Sequence, residues 1–219
     1  MPGPEPAGEA VRRRDFIKVI SGSAVAWPFS AARAQQRAGI KRVGVLMGTA
    51  DSDPDQKALV LEFSQALAEL GWKEGTNIHI EYRWAAGDTA RLPALSAELA
   101  RLTPDAIFGQ GTPVTTALRR AAPTTPVVFV NVADPVSTGL VSSLALPGGH
   151  ITGFTNYQFS MGGKWLEILK EISPSITRVA VIYNPDNPAM PGILNSIEAA
   201  GPKLGIEVTA RPGRKPGGR

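Results

Sequence analysis

Cysteine is absent from the 219 residues. That excludes a disulfide framework, a thiolate zinc site and a cysteine nucleophile, and it leaves the compartment open. Histidine is nearly absent: His79 and His150 are the two in the chain. They lie far apart and no H-E-x-x-H joins them, so both read as surface or strand-face residues, not metal ligands. Beyond the N-terminal region no run approaches the about 18 apolar residues of a membrane-spanning helix, so a soluble mature chain is expected. An excess of one charge is also missing. Lys and Arg number 23 against 19 Asp and Glu, and five of the basic residues fall within positions 1–34 and four within the last nine. The body is close to neutral, so the sequence pI near 9.6 argues little for a nucleic-acid partner. No G-X-Y period accompanies the 23 Gly and 19 Pro, which excludes collagen and forecasts many turns.

What is present begins with an address. Residues 12–18 read Arg-Arg-Arg-Asp-Phe-Ile-Lys, a small-residue apolar stretch runs from Val19 to Phe29, and Ala32-Arg33-Ala34 precedes Gln35. A charged region, an apolar region and a small-x-small site in that order form an export signal peptide over 1–34, cleaved near Gln35. Arg13 and Arg14 ahead of Asp15-Phe16-Ile17-Lys18 resemble the twin-arginine type, with Ala34 at the cleavage site. The competing reading is a basic amphipathic helix on a cytoplasmic protein. It explains the arginines but not the ordered set.

The rest alternates between strand and helix signals. Val43–Met47 is a short apolar run bounded by Gly48. Pro54 and Asp55 open a helix with Leu59, Phe63, Ala66, Leu67 and Leu70 on one face, closed by Gly71. Ile78 to Trp84 alternates apolar and polar residues, as an edge strand does. Asp88 caps a helix carrying Leu92, Leu95, Leu99 and Leu102. A strand over 106–108, a helix over 114–121 and a strand over 127–130 follow. Residues 132–163 show turn residues and no sustained period. A helix bearing Trp165, Leu166, Leu169 and Ile172 leads to an apolar strand, Val179 to Tyr183. Then come a helix with Ile193, Leu194, Ile197 and Leu204, and a strand at Ile206 and Val208. Such alternation predicts right-handed βαβ units and mainly parallel sheets. The expected organisation is lobe one over 38–158, a partial lobe two over 159–210, and a disordered basic tail over 211–219.

Catalytic motifs fail on inspection. Gly109-Gln110-Gly111 places Val114 where a dinucleotide fingerprint needs its third glycine. Gly163-Lys164 is followed by Trp165, which breaks a P-loop. Asp51, Asp53, Asp55 and Glu62 have EF-hand spacing, but Gln56 stands where the loop needs glycine, so the acids read as helix N-terminal charges. No G-x-S-x-G elbow occurs. What remains is the set of loops at strand C-termini, where open α/β sheets bind ligands. Thr49 follows the first strand; Gly111 and Thr112, read as a helix cap, follow the third; Asp134 follows the fourth. Asn156 lies at the crossover between lobes, and Tyr183 and Asn184 end the first strand of lobe two. By chemistry, Thr112 and nearby N–H groups suit a carboxylate, Asp134 is either a turn residue or an acceptor for an ammonium, and Asn156 or Tyr183 supplies the facing side.

Taken in order, several short motifs resemble a known family. They are Trp27-Pro28, Gly71-Trp72-x-Glu74-Gly75-x-Asn77, Glu81-Tyr82-Arg83, Arg91-Leu92-Pro93, Gly111-Thr112-Pro113, Asp134-Pro135-Val136, Pro147-Gly148-Gly149, Thr152-Gly153 and Asn184-Pro185. The set is similar to the ABC-transporter substrate-binding proteins related to tryptophan- and tyrosine-binding lipoproteins. The resemblance implies a type I periplasmic binding protein, with two Rossmann-like α/β lobes closing on a small molecule, an amino acid among the candidates. It implies an ABC permease in the inner membrane as partner, a monomer, no cofactor, no metal and no enzymatic activity. A lipobox cysteine is missing, so a free periplasmic form is expected. The family's chains run on by about 100 residues on ordinary domain sizes, and the basic tail reads as a truncation. Two alternatives stand beside this reading: a secreted α/β hydrolase-like enzyme, and a truncated remnant without function.

Overall fold

The computed structural model describes residues 39–213. Arg13, Arg14, Ala34 and the whole expected signal peptide lie outside the described residues, as does most of the expected tail. The described residues from Ile40 to Gly213 form one compact unit, and it carries two parallel sheets.

The first sheet opens with β1 (Lys41–Met47), α1 (Pro54–Glu69) and β2 (Ile78–Trp84). A short 3₁₀ turn (Thr89–Arg91), α2 (Leu92–Arg101), β3 (Ala106–Gln110), α3 (Thr112–Ala121), β4 (Val127–Ala133) and β5 (Ile151–Tyr157) complete it. The strand order is β2-β1-β3-β4-β5, all parallel. Because β1 steps one way to β2 and the later strands step the other way, right-handed crossovers put α1 on one face and α2 and α3 on the other. The core follows that division. Leu99 of α2 and Leu118 of α3 are fully buried with Leu46, Ile107, Val127 and Phe129. On the opposite face Phe63 of α1 meets Phe108, with ring centroids 4.9 Å apart.

Three expectations change here. The apolar face read into α1 is not a core face: no α1 residue is buried, and Leu59 and Leu70 are exposed. Among the described residues α1 is the one helix on its side of the sheet, where Phe63 meets Phe108 and the rest of its stripe is not buried. β5 was not visible in the sequence, where 132–163 reads as irregular. Its segment Ile-Thr-Gly-Phe-Thr-Asn-Tyr is a sheet edge with one buried residue, so neither an apolar run nor clean alternation marks it. Gly153 is required there: at φ +155°, an added Cβ would clash with the Phe129 carbonyl oxygen. β3 and β4 also run further than the apolar cores that signalled them, ending at Gln110 and Ala133.

Lobe two comprises α4 (Met161–Ile172), β6 (Arg178–Tyr183), α5 (Met190–Leu204) and β7 (Glu207–Pro212). β6 and β7 pair in parallel over six residues, Arg178–Glu207 through Tyr183–Pro212. β7 therefore runs into the segment expected to be tail. Arg211 and Pro212 belong to β7, because backbone pairing asks for no apolar side chain. Helices α4 and α5 approach closely through Gly162 and Gly163, which lie against Ile193, Ile197 and Ser196. The Gly163 N–H donates to Ser196 Oγ at 3.1 Å. Gly163, weighed and rejected for a P-loop, serves helix packing. Leu166, Ala189, Ile193, Ile197 and Ile206 form the small core of this lobe, and Ala133 from the end of β4 joins it.

Candidate functional site

The strand ends of lobe one are held by their own side chains. Asp53 caps α1, its carboxylate accepting the Asp55 and Gln56 N–H groups at 3.0 and 3.3 Å, which settles the acidic run as a helix start. Gln110 Nε2 donates to Gln56 Oε1 at 2.8 Å, tying the end of β3 to the first turn of α1. Among the described residues the enclosed Thr49 hydroxyl oxygen has no hydrogen-bond partner. Gly111, at φ +90°, occupies the N-cap position of α3. Thr112 is therefore the first helical residue, not the cap. It is buried, and its hydroxyl oxygen accepts the Ala133 N–H at 3.1 Å. The group read as a carboxylate anchor fastens α3 to β4.

β4 ends irregularly. Its pairing with β5 shifts register around Val132, and Asn131 takes φ +59° and Asp134 φ +39°. Such left-handed backbone in non-glycine residues persists where surrounding bonds over-determine it. The Asn156 amide donates to Asn131 Oδ1 at 2.8 Å. Asp134 accepts the Ser137 N–H at 3.0 Å and the Phe159 N–H at 3.3 Å, one on each carboxylate oxygen. Of its two readings, the turn residue is what the geometry displays. Asp134 and Asn156 thus brace the crossover that leads into lobe two, and Tyr157 meets Trp165 of α4 edge to face at 5.3 Å.

The loop after β6 is built from two Asx turns. Asn184 Oδ1 accepts the Asp186 N–H and Asn187 Oδ1 accepts the Ala189 N–H, each at 3.0 Å. Asn184 thereby presents Asp186, whose carboxylate accepts the Thr89 hydroxyl at 3.2 Å. That bond crosses from lobe two to lobe one. Beside it lies a cavity of about 420 Å³. Thr89, Leu92, Pro113, Thr116 and Arg120 line it from lobe one, and Asp186 and Pro188 from lobe two. Its size falls within the roughly 300–1,000 Å³ of small-molecule sites. A second cavity of about 480 Å³ is lined by Arg119, Ser142, His150 and their neighbours. Lobe two contributes nothing to its lining, so occupancy there could not couple the lobes.

None of the seven strand-end residues selected from the sequence lines the interlobe cavity. Pro113, the neighbour of Thr112, and Asp186, two residues beyond Asn184, do. The cavity thus reaches two of the same strand-end loops and adds a flank formed by α2 and α3. Arg91-Leu92-Pro93, present in the sequence as a motif, was the available signal. Among the described residues no group of three or more His, Cys, Asp or Glu is placed to hold a metal ion.

Two parallel α/β sheets with their helices, joined by a braced crossover, make the fold of the type I periplasmic binding proteins. Residues 49–211 match the family described as ABC transporter substrate binding protein, and the chain belongs to that family. It is 34% identical over 122 residues to the tyrosine-binding protein of Clostridioides difficile strain R20291, covering 56% of this chain and 35% of that one. A conserved domain protein of Vibrio cholerae superposes with a TM-score of 0.70 at 28% identity, covering 79% of this chain and 57% of that one. A Streptococcus pneumonia ABC domain solved with L-Trp gives a TM-score of 0.69 at 23% identity, covering 80% and 58%. The chain thus spans about a third of the curated relative and a little over half of these solved structures. The family is one of solute-binding proteins, not enzymes, that work with ABC permeases and are typically extracellular or periplasmic.

Proposed function

We propose that this chain is the solute-capturing component of an ABC importer, taking a small molecule between its lobes outside the cytoplasmic membrane and presenting it to a permease. The observation that carries the reading is the cavity lined from both lobes beside the Thr89–Asp186 bond. A ligand that contacts both walls lowers the free energy of the closed arrangement relative to the open one, which is what drives clamshell closure. Tyrosine and tryptophan binding by the relatives supports an amino acid as the solute class. Thr49, Gly111, Thr112, Asp134, Asn156, Tyr183 and Asn184 form the strand-end frame around the cleft, with Asp134, Asn156 and Asn184 setting the geometry of the moving parts. The family's solute-binding character supports a non-enzymatic reading.

Delivery to the periplasm rests on residues 1–34. Replacing Arg13-Arg14 with Lys-Lys should leave precursor in the cytoplasm, and normal export of that variant would assign the general secretory route instead. The binding reading is tested by calorimetry of the purified 219-residue chain against the amino acids. Saturable binding by at least one supports it. Absence of binding to every amino acid and to a panel of small carboxylates and sugars would overturn it.

A further inference from the structure

The cavity of about 480 Å³ at Arg119 and His150 takes no part in solute capture between the lobes. It lies along the connection that returns the chain from the end of β4 to the start of β5, and Arg119 reaches it from the last turn of α3. Pro147-Gly148-Gly149, a sequence motif that the interlobe cavity leaves unused, forms one wall. The Ser142 N–H closes that wall by donating to the Pro147 carbonyl at 2.9 Å. Among the described residues that line the cavity, Arg119 is the permanent charge and no carboxylate is present. One Nη of Arg119 donates to the Gly139 carbonyl. A guanidinium has five N–H donors in a planar fork, so this anchor leaves donors for an occupant. His150 Nε2 is enclosed and, among the described residues, has no hydrogen-bond partner. Buried polar atoms are nearly always paired, and an unpaired one carries a desolvation cost that a partner removes. Leu140, Val141 and Ile151 are buried and give the cavity an apolar side.

We propose that this cavity is a second binding site, contained within lobe one, for a small organic carboxylate with an apolar body and no ammonium group. Arg119 holds the carboxylate through charge-assisted N–H bonds. His150 supplies the second polar contact: a turn of its ring brings Nε2 to an oxygen of the occupant, as donor in the matching tautomer. The apolar body lies against Leu140, Val141 and Ile151. A molecule with an ammonium group meets a guanidinium and no carboxylate acceptor here, so like charge turns it away. A neutral isostere fits the apolar side and gives Arg119 no charge to pair. An occupant touches both α3 and the β4–β5 connection, so it should pin that connection to the helix. Lobe two lends the site no residue, so its occupancy should leave affinity for a solute between the lobes unchanged.

Three probes of one shape test the site on the 219-residue chain: benzoate, benzyl alcohol and benzylamine. Isovalerate, isoamyl alcohol and isoamylamine repeat the comparison with an aliphatic body. In NMR titrations at least one of the two carboxylates should saturate a single site, at least about tenfold more tightly than its alcohol or amine, the scale of a lost charge-assisted contact. Its amide shifts should centre on Gly139, Gly148 and Gly149 and spare Thr89, Thr116 and Asp186. Arg119→Gln should bring the carboxylate down to the affinity of the alcohol. His150→Phe should weaken the carboxylate and leave the alcohol unchanged. Circular dichroism and thermal melting verify that each variant is folded. The probe ratios and the shift map are read on the unsubstituted chain, so they decide even where a variant does not fold. No saturable binding of either carboxylate, equal affinity for acid, alcohol and amine, or an acid affinity that survives Arg119→Gln would overturn the proposal. So would shifts at Thr89, Thr116 and Asp186, which would put the carboxylate between the lobes. Solute capture there is measured separately with amino acids, and it stands or falls independently of these outcomes.

Discussion

Strands β1 and β6 are close relatives in composition and opposite in fate. β1 reads Lys-Arg-Val-Gly-Val-Leu-Met and buries its last four residues in succession. β6 reads Arg-Val-Ala-Val-Ile-Tyr and buries none, with Ile182 at 78% exposure. The difference lies in what surrounds them. β1 is flanked by β2 and β3 and sandwiched between α1 on one face and α2 and α3 on the other. β6 has β7 on one edge, and among the described residues α4 and α5 cover the side chains of Val179 and Val181 while Ala180 and Ile182 face outward. A continuous apolar run states what a strand requires on both faces; it does not state that both faces are covered.

The largest effect that can test this contrast comes from the lobe-one core. Leu99 is fully buried against Ile107 and the glycine at position 44, so Leu99→Ala should cost about 2–5 kcal/mol in urea unfolding. The matching cut in lobe two, Ile182→Thr, removes a side chain that already faces solvent and should stay within about 0.5 kcal/mol. Equal costs at the two sites would mean that β6 is covered in solution and that the contrast is false.

Next in size is the fastening between α3 and β4. Thr112→Val keeps the shape and removes the acceptor of the buried Ala133 N–H, which should cost about 1–3 kcal/mol. The Ala133 amide should lose exchange protection in that variant. If stability is unchanged and only ligand affinity falls, Thr112 is a ligand contact, as its place at a strand end first suggests.

These two outcomes bear on how much of the molecule its sequence discloses. The strand–helix alternation, the parallel sheets and the edge position of β2 are legible because apolar periodicity and crossover handedness determine them. β5 is not, because an edge strand whose side chains mostly meet water has no reason to look apolar. The bulge of β4 is invisible too: Asn131 and Asp134 take left-handed backbone only because Asn156, Ser137 and Phe159 hold them there. At the candidate site the strand-end loops were legible, and the hydrogen bonds that occupy their side chains were not. Whether the Thr112 hydroxyl meets a ligand or Ala133 depends on a partner 21 residues away.

Hydrogen exchange sharpens the comparison without substitution. Amides of 178–183 should exchange earlier than those of 43–47, since the first set belongs to a two-stranded sheet and the second to the middle of a five-stranded one. Uniformly slow exchange across both segments would show that lobe two is as well supported as lobe one.

The smallest effect concerns the exposed edge at β2. His79 is bonded to Glu74 at 2.8 Å and Glu81 at 3.0 Å. Hydrogen bonding to Glu81, then to Glu74, raises the His79 pKa from 6.5, and hydrogen bonding to His79 lowers that of Glu81 from 4.5. The histidine's contribution to stability is complete below pH 6.5 and is lost as pH rises through its raised folded value. That of Glu81 is present above pH 4.5 and is lost as pH falls through its lowered folded value. Stability from this cluster is therefore greatest between those limits. His79→Gln should flatten the decline on the alkaline side; an unchanged profile would place the decline elsewhere.

The most direct test of the central claim, that a ligand is held between the lobes, is an NMR titration of the 219-residue chain with whichever amino acid it binds in calorimetry. The account predicts amide shifts on both walls of the cavity, at Thr89 and Thr116 in lobe one and at Asp186 in lobe two, saturating together at one ligand concentration. Shifts confined to a single lobe, or centred on the cavity at Arg119 and His150, would contradict it.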